Sequence, residues 1–115
     1  MSVTTKATIA SFGGKLLKLS HAATTTNCEM GFNLFLPPQA LNSSAAQKVP
    51  VLIYLSGLTC TAENCSEKGF FQHGASKKGI AVLYPDTSPR MSTPTPSPTY
   101  YTLHAMPWLT MCDVM

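Results

Sequence analysis

The residues of this 115-residue chain best suited to chemistry are Ser56-Gly57, which follow the apolar run Val51-Leu-Ile-Tyr-Leu55. A glycine there lets the backbone turn sharply and present its N–H groups. Donors at the carboxyl end of a sheet strand stand where open α/β sheets place their ligands. Such a turn can bind an anion or stabilise an oxyanion as it forms. A buried strand ending in an ordinary turn has the same signature, and the residues alone leave both readings open. The other reactive groups are thiols. Cys28, Cys60, Cys65 and Cys112 follow no disulfide-framework spacing, and Met1–Lys6 lacks the apolar stretch of a secretory leader, so reduced cysteines are expected. No His or Cys pair near Cys60 and Cys65 completes a zinc set, so no metal is expected.

The elements around the turn follow from periodicity. Residues 1–11 are polar and read as a loose terminus. Phe12-Gly13-Gly14 signals a turn, and Lys15–His21 can form a strand with Leu17 and Leu19 on one face. After a connection at Thr24–Asn27, Cys28, Met30, Phe32, Leu34 and Leu36 alternate with Glu29, Gly31, Asn33 and Phe35, the period of a strand. Pro37-Pro38 ends it, and the two strands predict an antiparallel hairpin. Gln39–Lys48 reads as a surface loop. The unbroken run Val51–Leu55 predicts a strand covered on both faces. Thr61 and Glu63 favour a helix start, Phe70, Phe71 and Ala75 share a helical face, and Lys77, Lys78 and Gly79 suit its end. Ile80–Tyr84 is another apolar strand. Strand, helix and strand at this spacing make a βαβ unit with a parallel pair.

Composition excludes several functions. One small domain fits this length. Charged residues are 11% of the chain against roughly 25% in an average domain, so burial is favoured and solubility is thinly supported. The net charge of +3 comes from scattered lysines and Arg90, not from a basic stripe, which argues against nucleic acid as a partner. No apolar run approaches the ~20 residues of a membrane span.

Leu55-Ser-Gly-Leu-Thr-Cys-Thr61, Asn64 and Pro85-Asp-Thr-Ser-Pro-Arg90 resemble the N-terminal part of the S-formylglutathione hydrolase family. Asn27-Cys28, Met30, Leu36-Pro-Pro38 and the spacing of all these blocks fit as well. The resemblance covers about residues 12–90. It implies an α/β-hydrolase fold, without metal or organic cofactor, in the cytoplasm and commonly dimeric. The implied reaction cleaves S-formylglutathione to glutathione and formate, in formaldehyde detoxification, with simple esters as further substrates. It also implies that the Leu58 N–H is half of an oxyanion hole, that Gly57 permits close approach, and that Cys60 matches a cysteine near the site. A small buried hydrophobe is the plainer reading of Cys60.

Acyl transfer of this kind needs a serine on a strand-to-helix elbow, a histidine base and a carboxylate behind it. The 115 residues contain no Gly-x-Ser-x-Gly. His21, His73 and His104 do not match the family histidine, and Asp86 and Asp113 are the only aspartates. Cys60 served by His73 is the remaining nucleophile candidate. After Arg90 the chain departs from the family into a Pro-rich tail, residues 91–115, expected to be unstructured and read as the product of a frameshift or retained intron. The expected fold is therefore a truncated α/β-hydrolase, a half-sheet of one hairpin and one βαβ unit. In the family the first four strands lie in the order 1-2-4-3, so Val51–Leu55 would be left as a bare apolar edge. That edge predicts marginal stability and aggregation, or pairing with another copy, unless a partner strand or the tail covers it. Two functions are thus in play. One is an inactive form of the hydrolase. The other is a non-catalytic chain that pairs with a full-length subunit or offers its Pro-rich tail to a binding module.

Overall fold

The computed structural model describes residues 2–42, 48–57 and 60–87. Its elements run β1 (Val3–Ser11), β2 (Gly14–Ala23), β3 (Cys28–Leu36), α1 (Pro38–Leu41), β4 (Val51–Ile53), α2 (Ala62–Lys68), α3 (Phe71–Lys78) and β5 (Ala81–Pro85). The five strands form one mixed sheet in the order β1-β2-β3-β5-β4. β2 and β3 pair antiparallel, as do β3 and β5, and β4 lies parallel to β5. The four strands expected from the sequence thus fall in the order 1-2-4-3, the N-terminal half-sheet of an α/β-hydrolase.

The expectation of a loose terminus at residues 1–11 is corrected. Val3–Ser11 is a strand, antiparallel to β2. Its Val, Thr and Ile content favours a strand, but both faces are largely exposed, so no apolar alternation marks it. The β1–β2 connection is a tight hairpin in which Phe12 and Gly13 both have positive φ, 46° and 76°. Helix α3 braces it: Ser76 Oγ donates to Phe12 O at 2.7 Å, and the His73 and Phe12 rings lie 5.3 Å apart.

The βαβ crossover contains two helices, not one. α2 ends at Gly69, whose N–H donates to Cys65 O at 3.0 Å, and Phe70 turns the chain with a φ of 52°. Gln72 Nε2 donates to Ser66 O and so satisfies a carbonyl that the break sets loose. α3 stops at Gly79 in the left-handed region, with Lys77 and Lys78 in its last turn. A short helix, α1, stands where a loop was expected.

The helices pack on the sheet face carrying Leu16, Phe35, Val82 and Tyr84, joined by Ala62 and Ala75. Leu16 faces Phe35 and Phe35 faces Val82, so one row crosses three strands. Alternation along β3 had pointed to the opposite face, that of Phe32 and Leu34, which is only half-buried. Connection handedness decides where crossover helices sit, and apolar counting along one strand does not encode it. Asn33 tolerates the helix face because its Nδ2 donates to Ser66 Oγ at 2.8 Å, tying β3 to α2.

Val51–Leu55 is not covered on both faces. β4 spans three residues at the sheet edge, with Val51, Leu52, Ile53 and Leu55 58, 49, 58 and 61% exposed. Among the described residues, the bare apolar edge implied by the family strand order is present. The expected tail, residues 91–115, lies outside the described residues.

Candidate functional site

The site grows from the carboxyl end of β4. β4 runs parallel to β5 with Ile53 opposite Leu83, and Tyr54 N donates to Leu83 O at 2.9 Å. That bond carries the chain in register one residue past the strand. Ser56 follows, with its hydroxyl oxygen buried and, among the described residues, unpartnered. Cys60 N then donates to Gly57 O at 3.1 Å, bringing these two backbone groups together. The Cys60 N–H is therefore used by that bond. Leu58, the candidate oxyanion donor, lies outside the described residues.

Gly57 departs from the sequence argument. It does not adopt a positive φ, and, its chain neighbours aside, a Cβ built on it would meet no heavy atom of the described residues within 4 Å. Backbone conformation does not require glycine there. Among the described residues, the site offers open space beside the Gly57 Cα.

Beyond the turn, Thr61 caps α2. Asn64 Oδ1 accepts from Thr61 Oγ1 at 2.8 Å and from Thr61 N at 3.4 Å, which fixes where the turn enters the helix. Cys60 is half-buried just before that cap. Cys28, Cys60 and Cys65 form no disulfide with one another. His73, the base weighed for Cys60, packs against the Phe12 hairpin turn. His21 stacks its ring edge on Phe32 at 5.9 Å. His104, Cys112 and Asp113 lie outside the described residues.

Two features near β4 carried no sequence signal. Tyr54 stacks on Phe71 at 4.8 Å and stands 6.4 Å from the Tyr84 ring. Tyr84 is 1% exposed, and its hydroxyl has no partner among the described residues. Burial first, then charge on Cys65, pushes its phenol up to about 12. Such a group stays protonated at neutral pH, a neutral hydroxyl able to donate or accept. Apolar patterning marks Tyr84 as a strand residue and says nothing of its stranded hydroxyl.

No group of three or more His, Cys, Asp or Glu side chains suited to a metal ion occurs among the described residues. No helix among them is long and apolar enough to cross a membrane.

Comparison with known proteins agrees with this geometry. The esterase family model matches residues 23–105, which carries the match past Arg90. The chain is similar to the S-formylglutathione hydrolases of Saccharomyces cerevisiae, 48% identical over 80 residues, and of Paracoccus denitrificans, 50% identical over 80 residues. These alignments cover 68% and 70% of this chain but only 27% of each relative. The chain thus spans about a quarter of the length of the relatives it matches. The solved S-formylglutathione hydrolase from Agrobacterium tumefaciens superposes with a TM-score of 0.70 at 41% identity, covering 76% of this chain and 30% of that one. Strand order, turn and sequence converge, and the chain belongs to the esterase family, as a portion resembling the N-terminal part of an S-formylglutathione hydrolase.

Proposed function

We propose that residues 12–90 carry the oxyanion side of a serine-hydrolase site that acts on S-formylglutathione and small esters. We also propose that the 115 residues alone turn over neither. The observation that carries this reading is the backbone bond from Cys60 N to Gly57 O at the carboxyl end of β4. The chain on either side is anchored to β5 through Tyr54 and to α2 through Thr61 and Asn64, with open space beside Gly57 among the described residues.

In the reaction proposed, a serine hydroxyl contributed from outside these residues attacks the thioester carbonyl. The carbonyl oxygen becomes negative, and the Leu58 N–H donates to it. Collapse of the tetrahedral intermediate expels glutathione as the thiol, and water releases formate from the formyl-enzyme. Residues 1–115 supply no Gly-x-Ser-x-Gly elbow, so they stabilise charge without creating it. Formaldehyde detoxification in the cytoplasm is the setting this substrate suggests.

The test is a chimera in which residues 12–90 replace the matching segment of the yeast relative. The chimera is expected to hydrolyse S-formylglutathione. Leu58→Pro, which removes the N–H, is expected to lower kcat about 100- to 1,000-fold, while Leu58→Ala, which keeps it, leaves kcat within a few-fold. Equal rates for the two variants would refute the oxyanion role of this turn.

A further inference from the structure

The two edges of the sheet are built differently. β1 is threonine-rich, and its register shifts between Thr5 and Ala7, where Lys6 pairs with Glu29 at 2.8 Å. An irregularity and a charge are what natural edges use against unwanted pairing. β4 has neither. Residues 49–57 carry no charge, and Val51, Leu52, Ile53 and Leu55 are each about half exposed or more. An edge of this kind needs an occupant.

We propose that residues 100–115 of the same chain cover the β4 edge. This does not rest on the catalytic reading above. Because β4 and β5 are parallel, the chain leaves β5 at Pro85 on the same end of the sheet as the end of β4. Strands lie about 4.8 Å apart, so the far side of β4 is within about 10 Å of that exit. Residues 88–99 intervene, and with prolines at 94, 96 and 98 they favour an extended run of up to about 37 Å, at about 3.1 Å per residue. The tether reaches. It also holds the segment at a millimolar effective concentration, which a second copy would match only at millimolar protein. The chemistry corresponds too: Tyr101, Leu103, Met106, Trp108 and Leu109 fall in this stretch, and Asp113 is its one charged residue.

Trp108 is the only tryptophan of the chain and reports on the contact. In the full chain its emission is expected to be blue-shifted from free tryptophan and several-fold less quenched by acrylamide, at every protein concentration. Ile53→Lys is expected to return both properties to those of free tryptophan while the far-ultraviolet circular dichroism keeps its strand signal. A second arm covers the case in which that variant fails to fold. Deleting residues 100–115 is expected to raise binding of an apolar dye several-fold and to speed amide exchange at 51–55. Quenching of Trp108 like free tryptophan, or a deletion that changes neither dye binding nor exchange, overturns the proposal. Shielding that appears only as concentration rises also overturns it, and assigns the edge to a second copy.

Discussion

Tyr84 shows how a single hydroxyl can govern stability. Its oxygen is buried without a partner among the described residues, a situation that costs about 1–3 kcal/mol. Tyr84→Phe removes the oxygen and keeps the ring, so the variant should gain about 1 kcal/mol in urea denaturation at pH 7. The pH dependence follows from the phenol at about 12. An unfolded chain ionises tyrosine near pH 10, so between about 10 and 12 it loses a proton that the folded chain keeps. Stability from this group is complete below about pH 10 and drains away as pH rises through 12. Tyr84→Phe should therefore lose less stability between pH 9 and pH 12 than the parent. An equal loss would place the alkaline sensitivity elsewhere.

Elements are joined here by a small polar knot. Asn33 on β3 donates to Ser66 on α2, and Gln72 on α3 donates to the Ser66 carbonyl. Asn33→Ala should cost about 1–3 kcal/mol by leaving Ser66 without its buried donor, and Ser66→Ala a similar amount. The double variant should cost less than the sum, because both changes break one bond. Strictly additive losses would show that the bond carries no energy. This is also the scale at which the sequence was most and least legible. The hairpin, the parallel pair and the Gly79 stop were readable because turn residues and apolar runs are local. The buried face of β3 was not, since Asn33 is polar until Ser66 arrives from 33 positions away. β1 was missed because an exposed strand has no apolar period. The break at Gly69–Phe70 was missed because a glycine and an aromatic pair can equally sit within a weak helix. Leu55-Ser-Gly-Leu-Thr-Cys-Thr61 stood out by resemblance, yet the open space beside Gly57 was visible only in three dimensions.

At the scale of the molecule, a five-stranded sheet is covered by helices on one face, while the edge beside the candidate site is apolar and exposed. In the function proposed above, such an arrangement positions a charge-stabilising turn, and the 115 residues contain no Gly-x-Ser-x-Gly elbow to use it. Rate enhancement by an oxyanion hole requires an attacking group that develops the charge. The most direct measurement is turnover of a chromogenic acetate ester and of S-formylglutathione by the purified 115-residue chain, with Cys60→Ala and Ser56→Ala run beside it. The account predicts rates indistinguishable from buffer for all three proteins. Turnover by the parent chain that either substitution abolishes would contradict it.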